Sequence, residues 1–184
     1  MKQDFARGRL ADKAANTVPG NDWQAFAGIA GLRLEALPAE GTRIETVTVN
    51  RARALGDLFT PCRRTRRRVE TGLTNPFSRP MSVEEVADAL GLFAPDHRRV
   101  FERYLRQFSH ADTPVRLDVP AYDLGRGRLL LLDGEHRVTA LFMADVPCQV
   151  RLAVLHGPID RLIFPDLRYW DGGFLRMFRQ PIGP

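Results

Sequence analysis

Asp133-Gly134-Glu135-His136-Arg137 sets two carboxylates, an imidazole and a guanidinium in five consecutive positions, with the Thr139 hydroxyl two residues further on. Residues of these types can grip an anion. Arg137 offers a bidentate donor for phosphate, His136 a second donor and Thr139 a third. Glu135 repels a bare phosphate, so it has a purpose here only if it holds Mg2+, takes a proton or favours the positive end of a helix. Asp133 stands beside it as a supporting carboxylate.

The elements on either side explain how such residues would be aimed. Leu129 to Leu132 form a short apolar run of the kind found in a strand covered on both faces, and Asp133-Gly134 ends it. Residues 138–144 are apolar nearly all round, which predicts a helix buried on several sides. The polar residues then fall in its first turn. A helix start leaves four backbone N–H groups without intrahelical partners and carries roughly half a positive charge. Gly134 lets a ligand approach that backbone closely. The alternative is a capped helix with solvated charges, since strand, Asp-Gly turn and helix often follow one another.

The run Asp133-Gly134-Glu135-His136-Arg137-Val138-Thr139-Ala140-Leu141, followed by Ala144-Asp145-Val146-Pro147 and an alternating strand, resembles the phosphate-binding motif of the ParB/sulfiredoxin superfamily. In partition proteins that motif reads Gly-Glu-Arg-Arg; in the small enzymes of the superfamily it often reads Asp-Gly-x-His-Arg. The similarity spans residues 42–155 and is most specific over 115–152. It implies a compact α/β (α+β) domain, a small mixed sheet flanked by helices, that binds a nucleotide with Mg2+. The activities it implies are phosphoryl transfer or hydrolysis using ATP or CTP, with water or a small amino-acid-like compound as acceptor. Glu135 becomes the catalytic residue and metal ligand, Gly134, His136, Arg137 and Thr139 the phosphate-binding set. Sulfiredoxins carry a Cys where this chain has Glu135, so sulfinic acid reduction is not expected. Partition proteins continue into an Asn-Gln-Arg motif, a helix-turn-helix and a dimerisation domain; with no counterpart in this sequence, a stand-alone relative is expected. The other class of function is a non-catalytic, nucleotide-gated module that binds DNA or protein.

Composition sets the outer limits. The 184 residues suffice for one domain with tails, and the 44% apolar content is ordinary for a globular chain. No apolar run approaches the ~20 residues that span a bilayer, and the amino terminus has no hydrophobic leader, so a cytoplasmic location without membrane contact is expected. Cys62 and Cys148 lack metal-ligand spacing and read as reduced thiols, with Cys148 a small apolar core residue and Cys62 open to activation by nearby arginines. The net charge of +5 suits an anionic ligand, but the basic residues are spread along the chain, which does not favour DNA.

Along the chain, residues 1–40 read as an amino-terminal arm and a covering segment, 41–157 as the nucleotide-binding domain, and 158–184 as an aromatic-rich extension that packs back on it or joins a second copy. Residues 44–49 are β-branched and predict a strand; 52–59 predict a short helix. Arg63-Arg64-Thr65-Arg66-Arg67-Arg68 is the densest charge in the sequence, read either as a solvated segment or as a counterpart for an anion. After a Pro-containing loop over 72–80, Ser82 and Glu85 make a capping box for a helix that Gly91 closes. A second helix is predicted over 96–108, with Phe101, Tyr104, Leu105 and Phe108 on its core face. Residues 115–119 form a strand ended by Pro120 and paired as a hairpin with the leucine run; 148–154 form the return strand. His97, His110 and His156 are isolated in sequence and read as structural or surface residues.

Overall fold

The leucine run does become a strand buried on both sides. Leu129 and Leu131 face one core and Leu130 and Leu132 the other, the period-two alternation of a pleated strand. The computed structural model describes residues 15–16, 22–65, 69 and 78–170. Within them a mixed sheet runs through seven strands: β1 (Ala15–Asn16), β2 (Arg43–Val49), β3 (Phe59–Arg64), β4 (Arg79–Ser82), β5 (Val115–Asp123), β6 (Leu129–Leu131) and β7 (Cys148–His156). Their spatial order is β1-β2-β7-β5-β6-β3-β4. β5 and β7 are parallel and in register from Val115 opposite Cys148 to Tyr122 opposite Leu155. β5 and β6 form the expected antiparallel hairpin, with Ala121 opposite Leu131.

Among the described residues three α-helices pack on one face: α1 (Val83–Asp88), α2 (Pro95–Ser109) and α3 (Glu135–Ala144). The core on that side joins Val83, Phe108, Val138 and Leu141 to Val119, Ala121, Val150 and Leu152 from the central strands. Each fully buried leucine of this kind contributes roughly 1.5–3 kcal/mol. α3 sits at the centre, with Val138 to Phe142 all buried, because its neighbours α1 and α2 and the 3-10 turn Ala52–Leu55 leave it little contact with water. Among the described residues the opposite face is covered without α-helix. There Phe26 from the amino-terminal side and Ile163, Phe164, Leu167, Tyr169 and Trp170 from the carboxy-terminal side close over Tyr122, Leu130 and Leu155.

Several local expectations need correction. Pro120 does not end its strand: β5 continues to Asp123, because the Pro120 carbonyl still accepts from the Leu132 amide at 3.0 Å and the missing N–H costs no ladder bond there. The helix after Ser82 is shorter than its pattern, ending at Asp88 and passing into a 3-10 turn at Leu90–Leu92. Residues 52–59 hold only a 3-10 turn, and Phe59 already belongs to β3. The arginine run begins inside that strand rather than on a solvated segment: Arg63 is 2% exposed. Arg66 to Arg68, most of the loop over 72–80, the amino-terminal arm and the residues after 170 lie outside the described residues.

Candidate functional site

β6 delivers the chain to Leu132, Asp133 and Gly134, where it must turn sharply into α3. Gly134 makes that turn in the left-handed region, at φ 79°, as the N-cap residue. A residue with a Cβ loses about 1–2 kcal/mol in that conformation, so glycine is what the corner requires. Its carbonyl accepts from Val138 N at 2.9 Å, the first bond of the helix. Among the described residues no side chain caps α3, so the amides of its first turn keep their donors.

The Arg137 guanidinium folds back over this corner. A Cβ built on Gly134 would stand 3.1 Å from Arg137 Nη2. The same Nη2 lies 3.6 Å from Asp133 Oδ2, with Asp133 largely exposed and Arg137 about one-third so. This loose ion pair is easily exchanged for a ligand anion. Thr139, by contrast, is wholly buried, and its hydroxyl has no hydrogen-bond partner among the described residues. It lies beneath the helix start and not at its surface.

Glu135 turns toward His136, whose Nδ1 lies 3.0 Å from Oε1. Burial pushes the Glu135 carboxyl up, but the hydrogen bond and charge of His136, the Glu135 amide and the more distant charge of His97 outweigh it. The net effect holds Glu135 below its ordinary range. The far side of the His136 ring is enclosed: Phe101 stands at 4.5 Å between ring centroids and His97 at 4.6 Å. His97, Glu135 and His136 each offer one ligand atom, and these atoms all lie within 4.8 Å of one another.

His97 is the residue that sequence reasoning missed. It occupies the first turn of α2, and only the packing of α2 on α3 brings it to the motif. The one available signal was its place on the same helical side as Phe101, a core residue. His110 remains at the surface, its Nδ1 bonded to the Arg106 carbonyl, which accepts at 2.8 Å. His156 is held between two carboxylates, Asp123 at 2.9 Å and Glu45 at 3.1 Å, on the sheet and away from α3.

A cleft of about 710 Å³ opens beside the corner. Leu132, Asp133 and Glu135 line it together with Gly28, Gly31, Phe164, Pro165 and Asp166. Asp166 is not free to meet a ligand as an anion, because it pairs with Arg63. Arg63 in turn lies over the Tyr169 ring, 4.7 Å from its centroid, so this arginine serves the interior and is withdrawn from any nucleic-acid surface. Cys62 and Cys148 are both buried and neither is in a disulfide among the described residues, with Cys148 within the helix-side core. Among the described residues no helix is long and apolar enough to cross a membrane.

No family model matches the chain, and no curated protein or solved structure matches it either.

Proposed function

We propose that the chain is a nucleotide-binding enzyme of the ParB/sulfiredoxin type that transfers or hydrolyses the terminal phosphate of ATP or CTP with Mg2+. Its acceptor is water or a small amino-acid-like hydroxyl compound, in a cytoplasmic setting where both thiols stay reduced. One observation carries this reading: an uncapped helix start with a left-handed glycine opens beside a cleft of about 710 Å³. That volume falls within the roughly 300–1,000 Å³ typical of small-molecule sites.

Phosphoryl transfer asks the protein for alignment and charge neutralisation more than for covalent chemistry. The α3 amides and Arg137 supply fixed positive potential for a phosphate tail, and Arg137 is already poised over the corner. His136 adds an imidazole at the same turn. Thr139 supports the turn from below. Mg2+ takes hard oxygen ligands, and Asp133 and Glu135 are carboxylates that line the cleft, so they would hold such an ion. Bound there, the ion supplies charge neutralisation. A carboxylate held below its ordinary range suits holding a cation better than abstracting a proton, which assigns Glu135 to the metal before the acceptor.

Isothermal titration with ATP, CTP, GTP and UTP in the presence of Mg2+, on wild type and on Arg137→Ala, tests the site. Loss of a partly exposed charged donor should weaken binding by about tenfold. Equal affinity of the two proteins for every nucleotide would remove the phosphate site from α3.

A further inference from the structure

We propose that His97, Glu135 and His136 form a binding centre for a divalent transition metal of the Zn2+ or Co2+ kind, distinct in chemistry from the Mg2+ of a nucleotide. The first support is convergence. Three ligand-type atoms from two separate helices lie within 4.8 Å of one another, and all three residues are partly buried. Two imidazoles and one carboxylate are a ligand set used by catalytic zinc and by non-haem iron, and they leave further positions for water or a substrate oxygen. Hard cations such as Mg2+ prefer oxygen donors and gain little from two nitrogens.

The second support is independent of that clustering. His136 Nδ1 is engaged by Glu135, but its Nε2 is buried and has no hydrogen-bond partner among the described residues. Buried imidazole nitrogens are rarely left so, because each unmade bond forfeits a solvation that water would have provided. The rings packed against His136 are His97, at 4.6 Å between centroids, and Phe101, at 4.5 Å. Aromatic walls fix ring orientation: Phe93 meets His97 edge-on at 5.3 Å. A cation shared by the His136 and His97 imidazoles would give the His136 ring a ligand's role and hold the two rings in place.

The placement also gives the ion a use. Glu135 lines the cleft as well as meeting His136, so a metal held by the triad stands at the cleft's edge. A ligand oxygen entering the cleft beside α3 could complete its coordination. The inference shares Glu135 and His136 with the nucleotide reading and adds His97 from α2, so His97 variants and metal uptake without nucleotide separate the two.

The test uses the full chain, metal-free and without nucleotide. Zn2+ and Co2+ are titrated separately by calorimetry, with the visible spectrum of Co2+ as a second readout of nitrogen ligation. Wild type should take up a single equivalent with micromolar or tighter affinity, and millimolar Mg2+ should not displace it. Removing a ligand should cost more than the ~10- to 100-fold that loss of an outer-shell partner costs, so His97→Ala and His136→Ala should each bind far more weakly. His97→Gln, which keeps bulk between Phe93 and Phe101, guards against loss of fold, checked by circular dichroism. His110→Ala and Arg137→Ala should bind the metal as wild type does. Absence of saturable Zn2+ and Co2+ binding, displacement by Mg2+, or unchanged affinity in folded His97 and His136 variants would each overturn the proposal. Failure of nucleotide binding in Arg137→Ala with intact metal uptake would leave it standing and bear only on the phosphate reading.

Discussion

Arg63 and Asp166 form an ion pair whose side chains are almost wholly withdrawn from solvent, joining strand β3 to the 3-10 turn Pro165–Tyr169 that closes the back of the sheet. The pair anchors part of the cleft lining, since Asp166 and Pro165 belong to it. Desolvating two charges costs several kcal/mol, and their attraction offsets this only while both are present. Asp166→Ala should therefore lower unfolding free energy by about 3–5 kcal/mol, since Arg63 stays charged in the interior without its carboxylate partner. The double variant Arg63→Met with Asp166→Leu should be less destabilised than the single one. Urea denaturation of the three proteins decides it; a double variant weaker than Asp166→Ala would mean that the pair is a net stabiliser.

Glu85 combines two roles at the start of α1. Its carboxylate accepts from the Ser82 amide at 3.1 Å while Ser82 Oγ accepts from the Glu85 amide at 3.2 Å, the reciprocal capping box. It also takes both terminal nitrogens of Arg79, one at 2.7 Å. Burial raises the Glu85 carboxyl, but the Arg79 and Ser82 hydrogen bonds, with the charges of Arg79 and Arg64, hold it below its ordinary range. A depressed carboxylate contributes stability that is present above its unfolded value, about 4.3, and lost as pH falls through the lower native value. Ser82→Ala should cost about 1 kcal/mol at neutral pH. Glu85→Gln should cost a comparable amount at neutral pH, discounted for a pair about one-third exposed, and the gap from wild type should close on the acid side. Thermal melts across an acid series test both; a gap constant down to the acid transition would refute the linkage.

Tyr122 behaves in the opposite sense. Its hydroxyl donates to the Pro158 carbonyl at 2.8 Å under the back-face core. Burial, then the charges of Asp123 and Asp160, push its pKa up to about 12. An acid whose native value lies above its unfolded value of about 10 contributes stability that is full below about 10 and lost as pH rises to the native value. Tyr122→Phe should cost about 1 kcal/mol at pH 7 and lose less on the way to alkaline pH than wild type does. Denaturation at a neutral and at an alkaline pH measures the difference, and parallel curves would rule out Tyr122 as its source.

How much of this was legible in the sequence depends on how far apart the cooperating residues lie. The leucine run, the Ser82–Glu85 box and the apolar α3 are local, and each appears as read, because period and capping chemistry act within a few residues. Arg63 looked solvated because its neighbours are arginines; its partner Asp166 comes from the other end of the described chain, and no local pattern announces that pairing. His97 looked isolated for the same reason, since α2 reaches α3 only through tertiary packing. Pro120 misled in another way. A proline in a run normally marks an end, but here its carbonyl alone is needed by the hairpin.

Gly134 allows the backbone and the ligand requirements of the corner to be separated. Its φ of 79° penalises any Cβ, and the space a Cβ would take is already held by Arg137 Nη2 at 3.1 Å and Val119 Cγ1 at 3.5 Å. Gly134→Ala should lose about 1–2 kcal/mol of stability from the left-handed conformation alone. Asn tolerates that conformation better, so Gly134→Asn should recover part of the loss. Both Cβ atoms, however, push against the Arg137 guanidinium, whose far end is flexible and will move away from the helix start. Nucleotide affinity should therefore fall in both variants even where stability is partly restored in the Asn one. Calorimetric binding and thermal melts on the pair test this directly: a Gly134→Asn protein that regains both stability and nucleotide affinity would show that the glycine serves the turn only, and that the close approach of Arg137 has no part in holding phosphate.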